Sequence, residues 1–547
     1  MSFKCVEKRS KKIKLSVILA ATFATTSLFC TITNTAYANV LNKGQQSKKN
    51  TAKQELALEG KTEINDNTNH WEPNYHIFLP EIIFNEPYAL AQYKDTYHIF
   101  YGTSKLIEGK EKNVWGHITS KDFINWKPTK NAIEPTEEYE KDNIYGGSAI
   151  VADGLLYIMY TGEYGNSDTK ETIHQTQNIA MSKDGWNFGK SANNTVIPEA
   201  PNYSYLEFSS KDFRNPYVWK LEDRYYALVG SKYLKGDEGA VLLFKSKDLR
   251  NWVCINVSAL GKNKEMGNMW EHPALLHIDN ADILAFSTQG IQPRGKMFLN
   301  KKISGAFIGY LDYNSGKFTQ KGAYQLFDHG FDFYAPKFLK TEDGRHILIA
   351  SFDSEKEQTQ SENNNSKNLF TIPREIRIVN EKITTNPINE LQNLREHKIS
   401  QNNQIISSER TFDNIDGEVY EIDTTIDMSK AKNFTIKVRT SDTLETVITY
   451  DKENKILKLN RDKSSVNSQV ENITGEREVE LGLIDNKLKL NIFVDKSSIE
   501  LFASDGQVAM SSRIFPDKNA TGIKFSAEGE AKLEKFDFYK LKSIKMN

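Results

Sequence analysis

The sequence predicts an all-β fold, in which a five-bladed β-propeller is followed by a C-terminal β-sandwich. The chain has 547 residues, which is too many for one ordinary domain. Aromatic residues make up 11% of it, mostly Tyr and Phe, and these residue types favour strands over helices. Two series of turn motifs recur in step along the chain, and such internal repetition indicates a repeat architecture.

The first series of repeats is a Ser-Lys-Asp triplet with a tryptophan shortly after it. Three copies are intact and a fourth is degenerate. They are Ser120-Lys121-Asp122 with Trp126, Ser182-Lys183-Asp184 with Trp186, Ser246-Lys247-Asp248 with Trp252, and Asp312 with Phe318. The successive aspartates lie 62, 64 and 64 residues apart. This period fits one four-stranded propeller blade with long loops.

The second series is a polar turn that precedes a strand-like run, and it has five copies. They are Asp95-Thr96-Tyr97, Asp153-Gly154-Leu155, Asp223-Arg224-Tyr225, Asn280-Ala281-Asp282 and Asp343-Gly344-Arg345. The runs that follow are rich in β-branched and aromatic residues. Five copies predict five blades over residues 71–380, and two series in step argue against coincidental turns in an ordinary sandwich.

The first 38 residues are predicted to be an export signal. A basic head ends at Lys14, an apolar stretch runs from Leu15 to Phe29, and Ala36-Tyr37-Ala38 is a small-x-small cleavage site. Residues 39–70 are polar, lack an apolar period and are predicted to be flexible. The expectation is a secreted, extracellular protein that has no membrane contact after cleavage.

The net charge and the cysteine count of the mature chain limit its expected partners and its possible disulfides. The whole chain has a net charge of −1, and the signal holds six basic side chains and one acidic one, so the remainder has −6. No basic face is implied, and nucleic acid is not an expected partner. After cleavage Cys254 is the only cysteine, so no intrachain disulfide can form.

The last third of the chain has a different pattern. Residues 381–408 are polar, with Leu391 and Leu394 at helical spacing, and they are predicted to be a linker with a short helix. From 409 to 547, apolar and polar residues alternate, as at 434–438 and 487–492, and turns recur at short intervals. This pattern predicts a β-sandwich.

One segment occupies the same place in each blade, several residues before the second-series turn. The segments are Asn85-Glu86-Pro87, Gly146-Gly147-Ser148, Arg214-Asn215-Pro216, Glu271-His272-Pro273 and Tyr334-Ala335-Pro336. In a propeller this place is the innermost strand, which lines the central channel. Residues far apart in sequence are therefore expected to converge at one channel mouth.

Glu86 and Glu271 are two carboxyls predicted to face one cavity, as glycoside hydrolysis with retention requires. One must be ionised to attack the anomeric carbon. The other must hold a proton for the leaving oxygen, so burial is expected to raise its pKa. Arg214 is placed to pair with the ionised member. Alone, either glutamate is read as a solvated strand residue, but their equivalent positions favour a functional pair.

Aromatic side chains near these segments suit a carbohydrate ligand, because sugars present apolar C–H faces. The candidates are Trp115, Tyr145, Trp219, Trp270 and Tyr334. For any single one of them, packing between blades is the simpler explanation. His98 and His117 have no metal-ligand spacing, and neither a phosphate loop nor a Ser-His-Asp set is found.

The ordered motifs resemble glycoside hydrolase family 32, which includes invertases, levanases and inulinases. The resemblance runs from about residue 71 to 545. Its motifs are Asn85-Glu86-Pro87, Trp115-Gly116-His117, Gly147-Ser148-Ala149, Asp212-Phe213-Arg214-Asn215-Pro216, Trp270-Glu271, Asp332-Phe333-Tyr334, Ser498-Ile499-Glu500-Leu501-Phe502 and Met510-Ser511-Ser512-Arg513.

The resemblance implies roles for particular residues and a fructan or sucrose-type saccharide as the partner. Glu86 falls at the nucleophile position, Glu271 at the acid/base position and Asn215 at the position of the transition-state stabiliser. The implied substrate-binding residues are Asn85, Trp115, Ser148, Arg214, Asp332 and Tyr334. No metal and no cofactor are expected.

Two departures from the family pattern leave two hypotheses open. The family has aspartates where this chain has Glu86 and Asn215. A glutamate moves its oxygens by about 1 Å, which costs about a hundredfold in a positioned reaction. An amide at 215 offers no charge to an oxocarbenium ion. The first hypothesis is an active β-fructosidase, slow or altered; the second is a fructan-binding relative that has lost hydrolysis.

Overall fold

The computed structural model describes residues 70–79, 82, 84–165, 173–202, 206–262, 265–352, 369–466 and 474–546. The predicted signal peptide 1–38 and the polar segment up to residue 69 lie outside the described residues. In the described part of the chain, no helix has the length and hydropathy needed to cross a bilayer.

Five antiparallel sheets, each built from four consecutive strands, form the propeller over the described residues. Blade 1 holds β1 (Phe84–Tyr93), β2 (Thr96–Ile107), β3 (Lys110–Ser120) and β4 (Asn125–Pro128). Blade 2 holds β5 (Asn143–Ala152), β6 (Leu155–Tyr164), β7 (His174–Ser182) and β8 (Gly189–Lys190), after a 3₁₀ helix over Glu138–Glu140. Blade 3 holds β9 (Phe208–Leu221), β10 (Arg224–Tyr233), β11 (Glu238–Ser246) and β12 (Trp252–Leu260).

Blades 4 and 5 complete the propeller. Blade 4 holds β13 (Met269–Ile278), β14 (Ala281–Gln289), β15 (Lys302–Leu311) and β16 (Phe318–Leu326). Blade 5 holds β17 (Tyr334–Lys340), β18 (His346–Ser351), β19 (Arg374–Val379) and β20 (Lys382–Pro387). The first strand of each blade contacts the first strand of the next, and β17 contacts β1, so these five strands form a closed inner ring.

Both series of sequence repeats are turns of the blades. The first series joins the third strand to the fourth, and its aspartate accepts two backbone N–H bonds. Asp122 Oδ1 accepts from Ile124 and Asn125 at 2.9 and 2.7 Å, and Asp184 and Asp248 do the same two and three residues ahead. The second series forms the hairpin between the first and second strands. The first series therefore reports one local hydrogen-bonding unit in each of blades 1 to 3, and its degenerate copy in blade 4 keeps one such bond, from the backbone N–H of Asn314 to Asp312 Oδ1.

The remaining strands form the predicted sandwich. They are β21 (Arg395–Ser400), β22 (Gln404–Ile406), β23 (Tyr420–Thr440), β24 (Glu445–Asp451), β25 (Ile456–Lys463), β26 (Glu476–Glu480), β27 (Lys487–Asp495), β28 (Ser498–Ala503), β29 (Val508–Arg513) and β30 (Gly522–Leu541). The first half of β23 pairs with β27 and its second half with β24, while β30 runs beside both halves. These two long strands therefore take part in both layers around one apolar core.

The predicted fold class is confirmed, but one boundary is wrong. The fifth blade does not end at residue 380, because β20 continues it to Pro387. The predicted linker 381–408 is thus largely ordered structure. Leu391 and Leu394 are buried on a 3₁₀ helix over Asn389–Leu394, and β21 and β22 pair with β30 of the sandwich. The last strand, β31 (Lys545–Met546), returns to pair with β4 of blade 1.

The propeller and the sandwich share a buried polar interface. Backbone N–H groups of His329 and Phe331 donate to carbonyls of β29 at 2.7 and 2.8 Å. Arg374 of blade 5 is fully buried and bonds Asp328 of the propeller and Glu500 of the sandwich. The sandwich is thereby fixed against the fifth blade.

Candidate active site

All five innermost strands have an irregular register at equivalent positions. Each carries a register shift at the segment that the sequence analysis singled out, for example between Glu271 and Ala274 in β13 and between Tyr334 and Lys337 in β17. Asn215, His272 and Ala335, each directly before a proline, have φ of 59°, 50° and 51°. The prolines thus lie at bulges inside the strands rather than at strand starts, and each bulge turns side chains toward the channel mouth.

Of the two candidate carboxyls, Glu271 is held by more hydrogen bonds. Its Oε1 accepts from Arg214 Nε at 2.7 Å, and its Oε2 accepts from Gln289 Nε2 at 2.5 Å and from the Tyr334 hydroxyl. The side chain is 9% exposed. Three donors from three neighbouring strands therefore hold this carboxylate at one orientation.

The expected rise in the pKa of Glu271 is not observed. Burial pushes the pKa upward, but the nearby charges of Arg214 and His272 and the Tyr334 hydrogen bond outweigh it and lower the pKa to about 2. The acid/base candidate is therefore ionised in the free protein at neutral pH. Arg214 pairs with this carboxyl and not with Glu86.

Glu86 is the more accessible carboxyl, with 25% of its side chain exposed. Its Oε1 lies 3.3 Å from Nε2 of His272. Burial raises the pKa of Glu86, yet the charge and hydrogen bond of His272 outweigh burial and hold the pKa below its usual value. The charge of Glu271 also acts on this pKa, in the upward direction, which shows that the two carboxyls share one electrostatic environment.

Asn215 completes the set of residues at the catalytic positions. It is 2% exposed, and its backbone N–H donates to Thr161 Oγ1 at 3.0 Å. Its Oδ1 is buried without a hydrogen-bond partner among the described residues. The Nδ2 group lies beside Gly146, where a Cβ would come within 3.3 Å of it. An unsatisfied amide oxygen is thus held at the channel mouth.

Of the six predicted substrate-binding residues, three are placed at or beside the mouth. Arg214 and Tyr334 contact Glu271 directly. Asn85 is exposed next to Glu86, and its carbonyl accepts from Ser351 Oγ at 3.3 Å. A role in substrate binding remains a prediction for all three.

The other three predicted substrate-binding residues are buried and have protein partners. Trp115 is 0% exposed, packs on Tyr88 and donates to the carbonyl of Tyr145 at 3.1 Å. The hydroxyl oxygen of Ser148 accepts a hydrogen bond from the backbone N–H of Val218 at 2.9 Å. Asp332 is fully buried at the sandwich interface, where it bonds Arg461 at 2.7 Å. Their burial was not apparent from the motif match, and a role in substrate binding remains a prediction for these three residues as well.

The other aromatic candidates are also mostly packing residues. Trp270 is buried, stacks on Phe286 at 4.1 Å and donates to the carbonyl of Met266. Trp219 bonds the hydroxyl of Tyr313 and lines a cavity of about 410 Å³ that is also lined by His272 and Lys337. Tyr145 is half-buried and bonds Glu163 at 2.9 Å. Packing between blades, the simpler explanation, fits Trp270 best.

Three polar residues at the site were not among the candidates from the sequence: His272, Lys337 and Gln289, which donates to Glu271. His272 contacts Glu86, and Lys337 is buried with its Nζ on the carbonyl of Gly147 at 3.0 Å. Burial lowers the pKa of Lys337 to about 8, although the charges of Glu86 and Glu271 act in the opposite direction. A usable signal existed for His272, because aligning the segments on their prolines places it, and not Glu271, opposite Glu86 and Asn215.

Comparisons with known proteins place the chain among carbohydrate-cleaving enzymes. The family model of the glycosyl hydrolases family 32 N-terminal domain matches residues 76–387, and that of the family 32 C-terminal domain matches residues 390–540. A sucrose-6-phosphate hydrolase of Staphylococcus xylosus is 32% identical and covers 87% of this chain and 94% of its own. One from Zymomonas mobilis is 29% identical and covers 93% and 98%.

Solved structures give the same result. A β-fructofuranosidase of Bombyx mori is 30% identical, with a TM-score of 0.74 and coverage of 91% of this chain and 100% of that one. A sucrose-6-phosphate hydrolase of Lactobacillus gasseri has a TM-score of 0.77 at 25% identity, covering 87% and 94%.

A five-bladed propeller with two carboxyls at its inner strands, joined to a sandwich, together with these similarities, identifies the chain as a glycosidase. The chain belongs to glycosyl hydrolases family 32.

Proposed function

We propose that the protein is an exported β-fructofuranosidase that hydrolyses sucrose or a fructan with retention of configuration. The observation that carries this proposal is the convergence of Glu86 and Glu271 on one mouth, where Glu86 is partly exposed and Glu271 is held by three donors. Similarity to a β-fructofuranosidase over 91% of the chain supports a fructosyl substrate.

The proposed reaction uses the two carboxyls in turn. Glu86 attacks the anomeric carbon of the fructosyl unit, the bond to the leaving oxygen breaks, and Glu271 gives that oxygen a proton. Water then attacks the fructosyl–enzyme ester, and Glu271 takes its proton. Because the free site holds Glu271 as a carboxylate, kcat/KM is expected to rise as pH falls.

The decisive assay compares the natural protein with two designed variants on sucrose, sucrose-6-phosphate, levan and inulin. Glu86→Asp combined with Asn215→Asp is expected to gain at least about tenfold in rate, about 1.4 kcal/mol in the barrier. Glu271→Gln is the matched control and is expected to abolish hydrolysis. Equal rates for the natural protein and the double variant would mean that Glu86 and Asn215 are adapted to another substrate.

A fructan-binding protein without hydrolysis is the second candidate function. Two observations favour it: the uncharged amide of Asn215 cannot offset the charge of an oxocarbenium-like transition state, and ionised Glu271 has no proton to give to the leaving oxygen. Release of fructose or oligosaccharide by the pure protein would exclude this candidate. Calorimetry that detects no binding of levan or inulin would also exclude it.

Export of the protein is a separate part of the proposal. The basic head, the apolar stretch and the Ala36-Tyr37-Ala38 site support it. Protein recovered from the culture medium is expected to begin at Asn39. Recovery of the full-length chain from the cytoplasm alone would contradict export without affecting the proposed chemistry.

A further inference from the structure

His272 is a buried titratable residue that the two-carboxylate mechanism does not use. Its ring is 3% exposed and packs edge-on against Tyr334, with ring centroids 5.8 Å apart. Its Nε2 lies 3.3 Å from Oε1 of Glu86, on the opposite side of the inner ring. Its Nδ1 is buried without a partner in the described part of the chain.

The backbone conformation of His272 also restrains its contact with Glu86. His272 has φ of 50° and lies at the bulge of β13, directly before Pro273. A non-glycine residue in this region is strained and persists where the surroundings over-determine it. The strain places the imidazole against blade 1, while the preceding residue, Glu271, points its carboxyl at Arg214.

The direction of the contact follows from the chemistry of the two groups. An ionised carboxylate only accepts hydrogen bonds, so Nε2 must carry the proton that faces Glu86. This holds for a neutral imidazole and for an imidazolium alike. In both forms Glu86 receives a donor from a ring that is buried and packed against Tyr334.

We propose that His272 is a positioning residue that holds the carboxylate of Glu86 in place for attack on the sugar. A glutamate has one more side-chain torsion than an aspartate, so it needs a further anchor to reach one defined position. Nε2 of His272 supplies that anchor at Oε1. The proposal deepens the proposed function, because it names the residue that lets a glutamate serve at the nucleophile position.

The other charged and titratable groups around the pair are already committed elsewhere or do not touch Glu86. Lys337 of β17 donates to the carbonyl of Gly147, and the Tyr334 hydroxyl donates to Glu271. Glu271 is held by Arg214 and Gln289. Tyr88 of blade 1 is buried and feels the charge of Glu86, which contributes to its raised pKa after burial itself. The charges of Lys337 and Glu271 act on the pKa of Glu86 in opposite directions, and among these groups it is His272 whose ring nitrogen contacts the Glu86 carboxylate.

The first test measures pH profiles of kcat and KM for His272→Gln, which keeps an N–H donor but not the rigid ring. We expect kcat to fall by about tenfold or more with little change in KM. We also expect the acid limb of kcat/KM to move to higher pH, because the pKa of Glu86 loses the influence that lowers it. His346→Gln in blade 5 is the control and should change neither.

The acid limb and kcat distinguish positioning from a merely structural role. An unchanged acid limb together with an unchanged kcat would overturn the proposal. If His272→Gln does not fold, His272→Ala can be assayed with and without added imidazole to distinguish a positioning role from a merely structural one. Recovery of activity with imidazole supports positioning, and no recovery in a folded variant contradicts it.

A second test is independent of hydrolysis. Thermal unfolding of Glu86→Gln, His272→Gln and the double variant at pH 7 forms a double-mutant cycle. Non-additive shifts in Tm are expected, and additive shifts would overturn the pairing of His272 with Glu86. If coupling is found but every version fails to hydrolyse any fructoside, then the proposed function fails while the pair stands.

Discussion

At the scale of single residues, the ionisation of Glu271 decides how the site works. Three donors hold this carboxyl, and the Arg214 charge and the Tyr334 hydroxyl are among the influences that bring its pKa to about 2. An acid catalyst must instead hold a proton, so these contacts set the pH range in which the proposed reaction runs.

Replacing Tyr334 with Phe is expected to move the basic limb of the kcat/KM profile to higher pH. The change removes one hydroxyl donor from the carboxylate, so the pKa of Glu271 rises and the protonated form persists to higher pH. Tyr450→Phe is the matched control, because that buried hydroxyl donates to a carbonyl in the sandwich. A basic limb that stays in place would contradict the role of Tyr334.

The sequence identified part of the site because chemistry-bearing residues recur at one place in the repeat. Glu86, Asn215, Glu271, Arg214 and Tyr334 are found in this way. Lys337 was missed because a lysine after a proline carries no sign of burial. Burial depends on which blades meet, and this is a tertiary property that the motif does not encode.

At the scale of elements, the glycines and aspartates of the repeats have separate tasks. Gly147 faces the carbonyl of Met159, and a Cβ there would lie 1.8 Å from that oxygen. Asp122 binds two backbone N–H groups at its turn. Sequence motifs near the site thus include residues that serve strand pairing and turn formation only.

Gly147→Ala is expected to destabilise the protein severely, by more than about 3 kcal/mol, because β5 cannot stay paired with β6 around the added methyl group. Gly189→Ala is the control, since a Cβ there meets nothing within 4 Å. Thermal or denaturant unfolding measures both. Equal stability of the two variants would refute the packing argument.

Asp122→Ala is expected to cost about 1 kcal/mol at neutral pH, because two backbone donors lose their acceptor. Burial raises the pKa of Asp122, but its hydrogen bonds with Asn125 and Ile124 outweigh burial and lower it. Its stabilisation is therefore present above the unfolded-state pKa and is lost as pH falls through the lower folded-state pKa. The Tm difference from the natural protein should shrink in acid, and a constant difference would contradict this origin.

At the scale of the whole molecule, buried charges join the propeller to the sandwich. His76, before the first blade, lies between Asp495 and Glu500 of the sandwich at 2.8 and 2.9 Å. Glu500 also bonds Arg374 of blade 5, which in turn bonds Asp328. Because these side chains are buried, removing one of them leaves the charges of its partners buried without a counter-charge.

His76→Gln is expected to lower Tm most strongly below about pH 6.5, the unfolded-state pKa of histidine. Burial lowers the pKa of His76, but the hydrogen bonds and charges of Asp495 and Glu500 outweigh it and raise the pKa. Its stabilisation is thus full below the unfolded-state pKa and is lost as pH rises through the higher folded-state pKa. A Tm difference that grows toward alkaline pH would contradict this assignment.

The sequence by itself determined the blade count, the order of propeller and sandwich, and the strand that carries the candidate carboxyls. It did so because turns and strands depend on local hydrogen bonding and on alternating hydrophobicity, which repeat with the blade. Only the tertiary structure decided that the fifth blade reaches Pro387, that Trp115, Ser148 and Asp332 are buried, and that Glu271 is ionised. These properties depend on neighbours from other blades and from the sandwich, and such neighbours are set by packing across hundreds of residues rather than by any local pattern.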